Sequence, residues 1–274
     1  MKRFFYFYAF TTIILISNSR IPNAMKKLIA YPLTVLYYLC FGFTLVLFHP
    51  IQWVCLTLFG YQAHKKSVDI LNFFLLRCLN ILGTTFTFDN PHKVRLDQPC
   101  IIVANHQGTY DIPPIIWHMR HLHPKFISKK ELGKGIPSIS FNLKHGGSVL
   151  IDRKDKKQAV EAIKGLTTYL NTYNRSVVIF AEGTRSKDGI PMRFATAGLK
   201  TLMEAMPDAL LIPVTIHNSW KLNRYGGFPM DVGVAVSHTV HQAIPVSSDS
   251  PLALIAQLES VILKDFPRIK ERRK

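Results

Sequence analysis

The N-terminal quarter of the chain is almost uninterruptedly apolar. Leu28 to Phe48 contains no charged residue, and a helix of about 20 such residues is long enough to cross a hydrocarbon core. His49-Pro50 interrupts this run, and Ile51 to Tyr61 forms a shorter apolar arm. Lys26 and Lys27 stand before the two arms and Lys65 and Lys66 after them. Because positive charge marks the cytoplasmic flank of a membrane segment, this symmetry predicts a hairpin dipping into one leaflet and turning near Pro50. The alternatives are one span over Leu28–Phe48 and a buried helix pair. Upstream, Lys2 and Arg3 followed by the apolar run Phe4 to Ile16 imitate the first parts of a signal peptide. The cleavage region is poor, and Met25-Lys26-Lys27 is a second plausible start, so residues 1–24 read as an extra apolar extension or a mis-called start.

Beyond residue 65 the pattern alternates. Ser67 to Leu82 is an amphipathic helix, closed by Gly83. Strands are predicted at Thr84–Phe88, Cys100–Ala104, Lys125–Ser128, Gly146–Arg153, Ser176–Ala181, Ala209–Ile216 and Asp231–Ser237. Helices fall between them. One starts at Ile112, with Asp111 as cap and Pro113-Pro114 in its first turn. Another runs from Asp155 to Leu170 with the stripe Val160, Ile163, Leu166, Leu170. Others are expected at Ala195–Met206 and Leu252–Phe266. Pro213 argues that its strand is an edge, is bulged or ends there. Strands alternating with helices give an α/β domain, here a mixed central sheet flanked by helices. The expected organisation is an extension over 1–24, a membrane-associated helical hairpin over 25–64, and an α/β domain over 65–274.

Composition narrows the partners. Lys and Arg outnumber Asp and Glu by 34 to 17, a net +17, which favours an anionic partner such as phospholipid headgroups, a phosphorylated substrate, an acidic carrier or nucleic acid. Hydrophobic residues make up 48% of the chain, enough for a core without disulfides. Cys40, Cys55, Cys78 and Cys100 lie in apolar runs without short paired spacing. They read as buried free thiols of a reducing compartment. His118, His121 and His123 have no Cys or acidic cluster beside them, so they read as a polar helix end and no metal is expected.

Candidate chemistry sits where predicted strands end. Asn105-His106-Gln107-Gly108-Thr109-Tyr110-Asp111 follows the strand Cys100–Ala104, at the edge where open α/β sheets carry their ligands. On a continuous helix His106 and Asp111 would point roughly 140° apart, but a loop folding onto a helix start brings them together. Asp111 then fixes the imidazole tautomer and leaves the other nitrogen to take a proton. The competing reading is a pair that caps a turn. Arg153 ends a second strand and suits a phosphate, or pairs with Asp152 or Asp155. Glu182-Gly183-Thr184-Arg185-Ser186 follows a third strand with close backbone approach, hydroxyl and charge. It lacks the Walker pattern, which disfavours nucleotide hydrolysis.

Taken together, these blocks resemble the glycerolipid acyltransferase family. That family carries Asn-His-x-x-x-x-Asp, Gly-x-x-x-Ile-x-Arg, Phe-Pro-Glu-Gly-Thr-Arg-Ser and Ile-Pro-Val, which stand here as Asn105–Asp111, Gly147–Arg153, Phe180–Ser186 and Ile212–Val214. The resemblance covers roughly residues 80 to 220. It implies transfer of an acyl group from acyl-CoA or acyl-carrier protein to the free hydroxyl of lysophosphatidate, giving phosphatidic acid. His106 would be the general base and Asp111 its orienter. Asn105, Arg153, Glu182, Gly183, Thr184 and Arg185 would bind substrate. The resemblance further implies no resident cofactor or metal, membrane lipid rather than nucleic acid as partner, and an active site on the cytoplasmic face (of the inner membrane in a bacterium). The chain departs from the family at Gly108, where many members have Ser, and at Ala181, where most have Pro. Phe194-Ala195-Thr196-Ala197-Gly198 lacks the lysine that often follows the third motif, leaving Arg193 and Lys200 to replace it.

Overall fold

The apolar N-terminal region folds as two helical arms within one continuous element, α1 (Asn23–Asn80), broken at Gly60. The structure, a computed structural model, describes residues 22–92, 98–152 and 155–272, so most of the 1–24 extension lies outside the described residues. Gly60 has φ 78° and ψ −172°, a backbone state reserved for residues without a Cβ. The arms fold back on each other from that point. Phe48 meets Phe74 with ring centroids 5.8 Å apart, Leu45 clusters with Leu71 and Leu75, and Thr44 Oγ1 lies 3.6 Å from Cys78 Sγ.

The elbow expected near Pro50 is therefore at Gly60. The first arm runs straight through Pro32 and Pro50. A proline costs a helix one hydrogen bond and leaves it continuous when packing holds it, whereas reversal of the chain needs a change of φ that glycine supplies. The second arm is the predicted amphipathic helix, and the boundary read at residues 64/65 falls inside it. Its inner face (Val68, Leu71, Leu75, Leu76, Leu79, Leu82) is buried. The first arm exposes Leu28, Val35, Leu39, Phe43, Val46, Leu58 and Phe59, an i, i+3/i+4 stripe facing outward. Only 17% of the most apolar 18-residue window is buried. A core helix of a soluble domain would be mostly covered, so this one is a candidate membrane segment.

The rest is a mixed sheet between two helical layers. Its strands are β1 (Thr85–Asp89), β2 (Cys100–Ala104), β3 (Lys125–Lys129), β4 (Val149–Ile151), β5 (Ser176–Phe180), β6 (Leu210–His217), β7 (Ala235–Val240) and the short β8 (Ile244–Pro245). The order is β1-β7-β6-β2-β5-β3-β4, with β8 paired to β6 beyond β7. The pairs β6/β7 and β6/β8 are antiparallel; the others are parallel. β2 is buried at every position, as a strand covered on both faces must be. Ile101 and Val103 enter one core with α4 (Lys156–Tyr173), α5 (Thr196–Ala205) and α6 (Pro251–Ile262). Cys100, Ile102 and Ala104 enter the other, with Ile115, Ile116 and Met119 of α2 (Ile112–His118) and its C-terminal cap, following the period-two alternation of a strand. A short helix α3 (Ile139–His145) packs between the hairpin and β4. Cys78 and Cys100 are buried and Cys40 and Cys55 half-buried, none of them in a disulfide.

Two sequence expectations shift. β7 begins at Ala235 instead of Asp231, and Asp231 instead takes Arg224 as partner at 2.9 Å. Pro213 is central, facing Val103 of β2. The sheet tolerates it because its carbonyl accepts from His241 N at 2.9 Å. Its donor-less nitrogen faces the same partner, so the pair keeps one of its two ladder bonds and forgoes the reciprocal one to His241 O, at the point where β7 pairing ends.

Gly60→Ala should cost about 1–3 kcal/mol of stability. A Cβ there meets nothing within 4 Å, so the loss is purely backbone strain. Denaturant unfolding in detergent checks it, and an unchanged midpoint would contradict the assigned elbow.

Candidate active site

Parallel register sets the site. Ala104 pairs with Phe180 of β5 and with Val214 of β6, so the loops after β2 and β5 leave the same edge of the sheet and β6 runs on past it. The loop after β2 tightens into a single turn of 3-10 helix at Thr109–Asp111 before α2 begins. That fold-back brings His106 Nδ1 to 2.8 Å from Asp111 Oδ2. The pair predicted from spacing is therefore in contact.

Asp111 is fully buried and densely solvated by protein. Its Oδ2 also accepts from Gln107 N at 2.7 Å and Gly108 N at 2.9 Å. Its Oδ1 accepts a short bond from Ser219 Oγ. Burial alone would raise the carboxyl pKa, but the bonds from His106, Ser219 and the Gly108 amide outweigh it and hold the group below the usual carboxylate range. An acceptor-only carboxylate on Nδ1 requires the proton there, so Nε2 is the acceptor nitrogen. On that side Arg185 Nε stands 3.4 Å from Nε2. Phe180 stacks on the imidazole with centroids 3.9 Å apart and planes 14° from parallel, which fixes the ring's tilt.

Glu182 is completely buried and binds only backbone. Its Oε1 accepts from His106 N at 2.7 Å and its Oε2 from Met192 N at 2.8 Å. Burial pushes its carboxyl up to about 7 against the downward pull of those two amides. Ser186 closes the same junction, its N and Oγ donating to His106 O at 2.8 and 3.1 Å. Asn105 is likewise spent on the scaffold. Its Nδ2 donates to Ile216 O at 2.9 Å and its Oδ1 accepts from Ile216 N at 2.7 Å. Expected to touch substrate, Asn105 and Glu182 instead pin the His106 loop to β6 and to the loop after β5.

Gly183 takes φ 67° and turns the chain so that Thr184 and Arg185 are exposed. Both line a cleft of about 460 Å³ with His106, Lys129 and Lys187. A second, apolar cavity of about 150 Å³ shares Ile112, Phe126, Leu132 and Arg185 with the cleft and reaches Leu71 and Leu75 of the hairpin. Arg153 lies outside the described residues; β4, which leads to it, runs parallel to β3. The cations proposed to replace the missing lysine are occupied elsewhere. Arg193 binds Glu259 and Glu271, and Lys200 lies 3.7 Å from Glu204. No group of three or more metal-ligating side chains occurs among the described residues.

The sequence of the acyltransferase family, taken as a model, matches residues 85–217, which contain both motif loops. Over those residues the chain is similar to that family. It is 38% identical over 133 residues to the 1-acyl-sn-glycerol-3-phosphate acyltransferase of Helicobacter pylori, an alignment covering 46% of this chain and 54% of that enzyme. The same-named protein of Haemophilus influenzae is 26% identical over 63% of this chain and 77% of its own. The chain thus spans little more than half the length of the first of these relatives. The crystal structure of the 1-acyl-sn-glycerophosphate acyltransferase of Thermotoga maritima superposes with a TM-score of 0.73 at 22% identity, over 87% of this chain and 95% of that one. The likeness extends over the mixed sheet and most of the chain around it.

Sequence reasoning missed Ser219, Phe180, Lys129 and Lys187 as members of the site. Phe180 had a signal, being the first residue of the third motif. Ser219 had none: it lies 108 residues from Asp111 and past the matched region. Its hydroxyl fills the space beside Gly108, where an added Cβ would stand 3.2 Å from Ser219 Oγ. Ser219→Ala should lower stability by about 1.5–3 kcal/mol, the worth of a hydrogen bond to a charged group. Adding Gly108→Ser should restore part of it by returning a hydroxyl to the emptied space. Denaturant unfolding of both variants checks this, and a double variant no more stable than Ser219→Ala would refute it.

Proposed function

We propose that this protein transfers a fatty acyl group from a thioester donor, acyl-CoA or acyl-carrier protein, to the free sn-2 hydroxyl of 1-acyl-glycerol-3-phosphate. The observation that carries the reading is His106, held by a buried carboxylate on Nδ1 and presenting Nε2 to a cationic cleft that adjoins an apolar cavity. The names of the relatives supply the acceptor.

In the reaction His106 Nε2 takes the proton of the acceptor hydroxyl as its oxygen attacks the thioester carbonyl. The tetrahedral intermediate then expels the thiolate, breaking the C–S bond, and the imidazolium returns the proton to sulfur. No serine or cysteine nucleophile is needed. Arg185, Thr184, Lys187 and Lys129 surround the position of the acceptor phosphate, converting headgroup binding into orientation; Arg153 is assigned to the same task from its motif. The apolar cavity takes acyl chain, and its hairpin wall places it beside the bilayer. The outward stripe of the first arm inserts into one leaflet, with Lys26 and Lys27 at its start among anionic headgroups and the active site on the cytoplasmic side.

Purified protein given lysophosphatidate and either donor should form phosphatidic acid. His106→Ala should lower the rate about 10²–10⁴-fold, the usual contribution of a general base, while still binding anionic vesicles. A His106→Ala enzyme as fast as the parent would end the base assignment. Acylation of another lysolipid with lysophosphatidate ignored would move the acceptor and keep the chemistry. Protease added outside sealed cells should leave the domain intact, and its digestion there would reverse the orientation.

A further inference from the structure

The segment after α6 runs alongside the loop after β5, outside the region matched by the family. Lys270 forms a parallel bridge with Met192. Its N donates to Pro191 O at 2.8 Å, and its O accepts from Arg193 N at 3.0 Å. Lys270 Nζ binds Asp188 Oδ2 at 2.5 Å, and Glu271 binds Arg193 Nε at 3.2 Å. Arg272 Nη1 then donates to two carbonyls, Glu182 O at 3.0 Å and Arg193 O at 3.2 Å. These are the two ends of the loop that carries Thr184, Arg185, Ser186 and Lys187.

That loop is closed a second time from inside, because Glu182 accepts from both Met192 N and His106 N. The bonds therefore form one path: Arg272 to the Glu182 carbonyl, the Glu182 carboxylate to the His106 amide, and Ser186 to the His106 carbonyl. A loop of this length closes on itself only when its ends are held, since each free residue adds conformational freedom.

We propose that residues 269–272 are a strap that sets the distance between Arg185 and His106, with Arg272 as its positioning residue. The strap works by joining the two ends of the phosphate-facing loop, so that Arg185 is presented at a fixed place beside Nε2. Arg272 touches no substrate. The proposal deepens the acyl-transfer reading and rests on it for its kinetic consequence, while its structural content can be read without substrate.

The test compares full-length parent, Arg272→Ala and Arg272→Lys by amide hydrogen exchange over residues 105–111 and 182–193 and by acyl transfer from acyl-CoA to lysophosphatidate. Arg272→Ala should exchange faster in both segments with the rest of the chain unchanged. It should also show about a tenfold lower kcat/KM, borne mainly by the acceptor KM, and Arg272→Lys should recover most of it. Non-additivity is the second signature: in an Arg185→Ala background, Arg272→Ala should add little, because both act on one contact. Unaltered exchange in Arg272→Ala, or full additivity with Arg185→Ala, overturns the strap. If Arg272→Ala does not fold, Lys270→Ala loosens the same strap at Asp188 and must show the same two-segment exchange. A parent enzyme that transfers no acyl group defeats the functional reading, and the exchange data alone then judge the strap.

Discussion

Asp111 is a carboxylate with no access to water, and the site is built around making that tolerable. An ionised carboxyl moved into the interior unpaired is prohibitively unfavourable. Here four donors, two of them backbone amides of its own turn, take the place of solvent. The turn that supplies the amides exists because Gly108 and Asp111 bracket one 3-10 turn. The donor from Ser219 exists because β6 lies next to β2. The same carboxylate that needs neutralising is thereby the group that fixes the imidazole. Stabilising the fold and orienting the imidazole are one set of bonds.

The second buried carboxylate, Glu182, has a different task. Its carboxylate serves as a clamp between two backbone amides on separate loops. The motif loops are consequently not independent. His106 is held by Asp111 on its side chain, by Glu182 on its amide and by Ser186 on its carbonyl. This explains why residue types that look suited to substrate, Asn105 and Glu182, are turned inward, and why the exposed Thr184, Arg185 and Lys187 remain to face the cleft.

The hairpin completes the arrangement from the side of the apolar cavity. Its inner arm is part of the domain core and lends Leu71 and Leu75 to the apolar cavity. Its outer arm turns an uncovered apolar stripe away from the protein. The apolar cavity and the cleft at the His106 imidazole thus share a wall of side chains, Ile112, Phe126 and Leu132.

Local pattern alone carried much of this. The apolar arms, the doubly buried β2, the placement of His106 and the loop after β5 at strand ends, and the helix stripes are all written in spacings of two or 3.6 residues, and short motifs fix backbone turns nearby. Tertiary structure decided the rest: the reversal at Gly60 instead of Pro50, the central place of Pro213, the use of Asn105 on Ile216, and the meeting of Asp111 with Ser219 across 108 residues. Periodicity tells which face of an element is buried and which dihedral a residue allows. It does not tell which element lies on the other side, because partners distant in sequence are chosen by strand order and register, which only the assembled sheet possesses.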